Sequence, residues 1–229
     1  MTEQMFDSIA HSYDGLNHWL SAGADKGWRR RSLGWFVERE RPQAILDVAC
    51  GTGDFSIAIA RHAHPDTRVW GVDLSERMLE VMRRKVTAAG LEGRIGAERG
   101  NGEELRFADS SFDCVTVAFG IRNFEHRERA LHEMHRVLRK GGKVVILELS
   151  EPSNPVLRWC YNLYFARLLP LVGGWVSGQR EAYSYLPRSV AGFPGKEEWM
   201  ETMRRCGFVD VRHRAFTLGV CRLYVGCAG

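Results

Sequence analysis

The chain has 229 residues, 45% of them apolar, with 32 basic against 28 acidic side chains and a formal net charge of +4. That length suits one sizeable α/β core, and so mild a charge is far from the concentrated basic face of a nucleic-acid binder, so no nucleic-acid partner is expected. No uninterrupted apolar run long enough to span a bilayer occurs, the start MTEQMFDSIAHSYD lacks the basic-then-apolar order of a secretory signal, and the six cysteines are scattered without a CxxC pair, which predicts a cytoplasmic protein with neither structural metal nor disulfide framework.

After Pro42 an alternation of strands and helices begins. Ile45 to Ala49 reads as a buried strand, and Phe55 to His62 as a helix starting just past a glycine-rich turn. Val69 to Asp73 is a second strand, followed by a helix over Glu76 to Ala89 that Ser75 can cap. A short third strand precedes Gly100, and Phe112 to Phe119 is a fourth. Arg127 to Arg139 is a helix that Gly141 and Gly142 terminate, and Val144 to Glu148 is a fifth strand. Helices of this length between strands predict a mostly parallel sheet covered on both faces. Ligands of such sheets bind beyond the carboxyl ends of the strands, where Asp47, Asp73, Asn101 and the segment from Phe119 to Asn123 converge.

The turn itself narrows the ligand. In ILDVACGTGDF the third glycine of a dinucleotide fingerprint is replaced by Phe55 or Ser56, and Asp47 and Asp54 flank the turn with negative charge. Pyrophosphate is disfavoured on both counts. A ligand with an ammonium, a sulfonium and a ribose fits better: the carboxylates complement the cations, the glycines admit close backbone approach, and Asp73 is placed to accept two ribose hydroxyls. An acid at that position also serves NAD sites, so Asp73 alone does not separate the two cofactors. Together with GTGD and the absent glycine it points to S-adenosylmethionine.

The segments FDSIAHSYDGLNHWLSAG, ILDVACGTGDF, GVDLSERML, NGEELRFADSSFDCVTVAFGIRNF, ALHEMHRVLRKGGKVVILELSEP and AYSYLPRSV resemble the UbiE/MenG/COQ5 family, the C-methyltransferases of menaquinone and ubiquinone biosynthesis. GTGD and LRKGG are common to many class I methyltransferases, whereas SYDGLNHWLS and FGIRN are far more specific. The resemblance implies a Rossmann-like class I fold with a seven-stranded, mostly parallel sheet. It implies a helical cap over residues 1–41, a cofactor-binding core over 42–150, a substrate-side insertion over 151–195, and a carboxyl-terminal part over 196–229. That last part supplies a helix near Glu197 to Cys206 and strands over Val209 to Thr217 and Cys221 to Val225. It implies that Thr52, Asp73, Leu74, Asn101 and Gly102 contact S-adenosylmethionine, with Asp47, Gly51 and Gly53 shaping the turn, and that S-adenosylhomocysteine is the product. Three departures stand out: Ala118 where many members have serine, Lys140 where proline is common before the glycine pair, and the end LGVCRLYVGCAG, which differs from the usual last strand.

The implied reaction is methylation of a demethylated polyprenyl quinol, with demethylmenaquinol preferred over the ubiquinone precursor. It needs alignment of carbon, methyl and sulfur, exclusion of water and stabilisation of a phenolate. Arg122 and Asn123 are the candidates for gripping the quinol oxygens, with Tyr13 closing over them. The arginine guanidinium stays protonated and cannot take up a further proton, so Arg122 would act by favouring the ionised hydroxyl electrostatically while a water, Tyr13 or His18 carries the proton.

Residues 156–176, VLRWCYNLYFARLLPLVGGWV, are aromatic and carry only Arg158 and Arg167 as charges. They read either as helices covering the sheet or forming a homodimer contact, or as an apolar doorway for a membrane-embedded polyprenyl tail in transient contact with the membrane surface. His132 and His135 lie three apart on a helix with no third ligand, and Cys50 reads as a small packing residue. Rival readings are a nicotinamide oxidoreductase, a non-catalytic S-adenosylmethionine-binding subunit, and a methyltransferase for a soluble acceptor.

Overall fold

Successive residues of a strand face opposite sides of a sheet, and here both sides are apolar. In the computed structural model, which describes Asp7, Gly15, Ser21 and residues 23–163 and 187–229, Ala44–Val48 (β1) sends Ile45 to one core and Leu46 and Val48 to the other. β1 is an interior strand of a seven-stranded sheet with Arg68–Asp73 (β2), Ile95–Arg99 (β3), Phe112–Ala118 (β4), Leu138–Leu149 (β5), Phe208–Phe216 (β6) and Cys221–Ala228 (β7). The order is β3-β2-β1-β4-β5-β7-β6, parallel except for β7, which runs antiparallel to both β5 and β6. The doubly wound α/β architecture read from the sequence is therefore present.

On one face lie the helices Ala24–Leu33 (α1), Asp54–His62 (α2) and Glu76–Ala88 (α3), whose Trp28, Phe55, Ile59, Leu79 and Met82 pack against Ile45, Cys114, Val145 and Leu223. The other face is covered by Arg127–Val137 (α4) and Lys196–Arg205 (α6), whose Leu131, Met134, Trp199 and Met203 pack against Leu46, Val115, Val144 and Tyr224. Between α4 and α6 in sequence comes Pro155–Leu163 (α5). Each fully buried aliphatic side chain contributes about 1.5 to 3 kcal/mol, so the two faces together dominate the stability. Ser75 caps α3 as the sequence suggests, its hydroxyl accepting the Met78 N–H at 3.1 Å.

One boundary differs. Gly141 and Gly142 do not terminate α4, which ends at Val137 with Leu138 already extended. The glycine pair lies inside β5, where the pairing jumps from Phe112↔Leu138 to Cys114↔Lys143. Gly141 takes a φ of +75° in this bulge, a conformation that a side chain disfavours. Of the proposed amino-terminal cap, α1 is described, whereas Tyr13 and His18 lie outside the described residues, as does the part of the aromatic stretch from residue 164 onward, including Arg167.

Candidate active site and cofactor cavity

The chain runs from β1 outward to β3 and then returns to β4 on the other side of β1, so the carboxyl ends of β1 and β4 diverge into a crevice. A cavity of about 320 Å³ occupies it. The turn after β1 contributes Gly51, the end of β2 contributes Asp73 and Leu74, the loop after β3 contributes Asn101, Gly102 and Glu103, and the segment after β4 contributes Phe119, Gly120, Asn123, Phe124 and Glu125. Three carboxylates line it, and no lysine or arginine is among the described lining residues. That charge pattern suits a cationic, phosphate-free ligand and opposes a dinucleotide.

Asp73 is the organising group. Its carboxylate accepts the Gly51 N–H at 2.8 Å and the Ser75 N–H at 2.9 Å, which ties the glycine turn to the start of α3. Burial pushes its carboxyl up, and those backbone donors oppose the rise. Below it the turn is packed against sulfur. A Cβ on Gly53, whose φ is +81°, would come within 2.4 Å of the Met82 side chain, so only glycine fits there. Cys50 Sγ lies 3.5 Å from Met82 Sδ, and burial pushes its thiol well up, in keeping with a packing residue. A Cβ on Gly102 would meet Val48 at 2.6 Å and the Phe124 ring at 2.8 Å. The backbone of both glycine positions therefore comes closer to its surroundings than any other residue would permit.

The predicted site residues thus divide. Gly51, Asp73, Leu74, Asn101, Gly102 and Asn123 come together around the cavity, and Ala118 lines it with a methyl where a serine would place a hydroxyl. Thr52 and Gly53 support the turn without being among the lining residues. Asp47 and Asp54 do not face the ligand space, contrary to the expectation from the sequence. Asp54 sits at the amino end of α2 in ion pairs with Lys85 and, at 3.4 Å, Arg29. Asp47 is 1% exposed and accepts hydrogen bonds from Ser56 Oγ at 2.6 Å and Thr116 Oγ1 at 2.8 Å.

Asp47 has a pH signature. Burial, the largest cause, pushes its carboxyl up to about 6 despite the Ser56 and Thr116 hydrogen bonds. With the folded value above the unfolded one, its stabilising contribution is complete below about pH 4 and is lost as the pH rises through about 6. Asp47→Asn removes that dependence. Between about pH 4 and pH 7.5 the difference in urea-unfolding free energy should move by about 2 to 3 kcal/mol in favour of the variant. A difference that stays constant across the range would refute the upward shift of the buried Asp47 carboxyl.

Arg122 also departs from its expected role. Its guanidinium does not line the cavity but turns inward, pairing with Glu148 at 2.7 Å and bonding the Phe119 carbonyl and Ser189 Oγ. Glu148 accepts in addition the backbone N–H groups of Arg122 at 3.2 Å and Leu149 at 2.8 Å. Arg122 therefore braces the segment Phe119 to Asn123 from beneath. Phe119, held at a φ of +61°, has the Arg29 guanidinium 5.3 Å from its ring centre and Trp28 at 6.2 Å. Glu103 accepts the N–H groups of Glu125 and His126, which joins two walls of the cavity.

Glu148, Glu103 and Trp28 were not singled out in the sequence. For Glu148 a signal existed, since it is a lone carboxylate in the apolar run VVILEL. His135, by contrast, packs edge-on against Phe208, with ring centres 5.2 Å apart.

Comparison with known proteins agrees with this geometry. A demethylmenaquinone methyltransferase of Bacteroides fragilis is 45% identical over 222 residues, covering 97% of this chain and 90% of that protein. A ubiquinone/menaquinone biosynthesis C-methyltransferase UbiE of Geobacter sulfurreducens is 45% identical over 225 residues, 98% and 87% of the two chains. The crystal structure of a SAM-dependent methyltransferase, possible histamine N-methyltransferase, from Thermotoga maritima superposes with a TM-score of 0.68 at 18% identity over 99% of both chains, a likeness of fold. The model of the ubiE/COQ5 methyltransferase family matches residues 1–228, and with the cavity, its acidic lining and the strand order all in place, the chain belongs to that family.

Proposed function

We propose that this enzyme transfers the methyl group of S-adenosylmethionine to a ring carbon of a demethylated polyprenyl quinol, demethylmenaquinol, in menaquinone biosynthesis. The observation that carries the reading is the acidic, cation-free cavity at the β1/β4 switch point, in a chain matching demethylmenaquinone methyltransferases over nearly its whole length.

The donor supplies a methyl group activated by the sulfonium. Asp73 would hold the ribose, Gly51 and Gly102 would admit the ligand against backbone, and Leu74 and Phe124 would shield it from water. The Asn123 amide, at the end of the braced segment, is the cavity-lining group suited to hold an acceptor oxygen. Arg122 acts through the position of Phe119 and Asn123. A polyprenyl substrate resides in lipid, so contact with the membrane surface belongs to this reading; no helix among the described residues is long and apolar enough to cross a membrane.

Incubation of the purified protein with S-adenosylmethionine and a chemically reduced, short-tailed demethylmenaquinone should yield a product heavier by one methyl in mass spectrometry. The oxidised quinone should yield none, because its ring carbon is not a nucleophile. Cofactor binding without any methylated product would overturn the acceptor assignment.

A further inference from the structure

A second cavity, about 480 Å³, lies where β5 ends, between the segment that follows it, residues 190–198 and the start of β7. Arg222 lines it, is 5% exposed, and donates a hydrogen bond to Ser153 Oγ at 2.7 Å. It makes no ion pair among the described residues. The carboxylate directly across the strand pair is Glu148, and that is occupied by Arg122. Two buried arginines thus share one buried carboxylate, which leaves one positive charge in excess in the interior and favours the approach of an anion to Arg222.

The remaining charges of the cavity are at its rim. Arg158 pairs with Glu151 at 3.7 Å and Lys196 with Glu197 at 3.1 Å, which leaves the exposed Glu198 as the one further carboxylate. The ten-residue helix α6 begins here, and Gly195 offers its amino end no side-chain cap. Glu197 and Glu198 in the first turn already complement the helix dipole, so what this end offers an anion is its backbone N–H groups, which no side chain caps.

The helix that carries Arg158 indicates the source of that anion. On α5, Val156, Trp159 and Leu163 are 69%, 66% and 37% exposed, and spacings of three and four place them on one face. An exposed valine, tryptophan and leucine beside an arginine-rimmed anion site match the boundary between headgroups and acyl chains. We propose that this second cavity binds the phosphate of an anionic phospholipid headgroup while Val156, Trp159 and Leu163 enter the acyl boundary beside it. This rests on the lipid-borne substrate proposed above and specifies where the protein meets the membrane.

Flotation of the full chain with phosphatidylglycerol-containing and with pure phosphatidylcholine vesicles tests it. The parent chain should float with the anionic vesicles, and Arg222→Gln should partition about five- to tenfold less, as loss of one cation near the surface implies. Arg222→Lys should retain most of the binding. Should Arg222→Gln unfold, the exposed pair Arg158→Gln and Trp159→Ala carries the same comparison. Turnover of the short-tailed quinol, measured separately, should be unchanged in these variants, so a failure of the methylation reading is visible independently of flotation. Equal flotation of Arg222→Gln and the parent would overturn the site. So would absence of any preference for anionic vesicles, or saturable binding of inorganic phosphate at Arg222 without vesicle binding, which would mark a soluble anion instead.

Discussion

Glu148→Ala should destabilise the protein by about 3 to 5 kcal/mol, the usual effect of stripping one partner from a buried ion pair. The carboxylate is fully buried and accepts three hydrogen bonds, two from Arg122 and one from the Leu149 N–H. Its removal strands Arg122 and also leaves Arg222 with no buried carboxylate near it. The double variant with Arg122→Met should lose less than the sum of the two single changes, because Arg122 is no longer left buried without its partner. Urea unfolding of the four chains supplies the cycle. Additive losses, or a single-variant effect below about 1 kcal/mol, would show that the pair is not the brace described. In enzyme that remains folded, Glu148→Gln should lower kcat for the acceptor more than it changes affinity for S-adenosylmethionine, since it loosens Phe119 to Asn123 and leaves Asp73 in place.

Asp73→Ala should weaken S-adenosylmethionine binding by about a hundredfold or more. Two charge-assisted hydrogen bonds to ribose hydroxyls contribute about 1.5 to 3 kcal/mol each, and the same change frees the N–H groups of Gly51 and Ser75 that shape the turn. Asp73→Asn, which keeps an oxygen acceptor of similar shape, should fall between the two. Titration calorimetry gives the dissociation constants. An Asp73→Ala chain that binds within about threefold of the parent would remove Asp73 from the site.

The elements around the cavity were legible because each carries a local signal. Apolar runs mark β1, β2 and β4, Ser75 marks the start of α3, and the GTGD turn with Asp73 marks the ligand end of the sheet. The bulge at Gly141 and Gly142 was not legible, since a glycine pair after a helix reads equally as a terminator or as a kink inside the next strand.

Chain order and residue type were enough to determine the α/β class and the switch-point location of the ligand, because hydrophobic periodicity and the glycine turn are local properties. Which charged groups face the ligand was decided only by the tertiary structure. Asp47 finds Ser56 and Thr116, Asp54 finds Arg29 and Lys85, and Arg122 finds Glu148, 26 residues further on. A buried charge takes whatever partner packing brings within reach, and that partner comes from another strand or helix, beyond the range of any spacing along the chain.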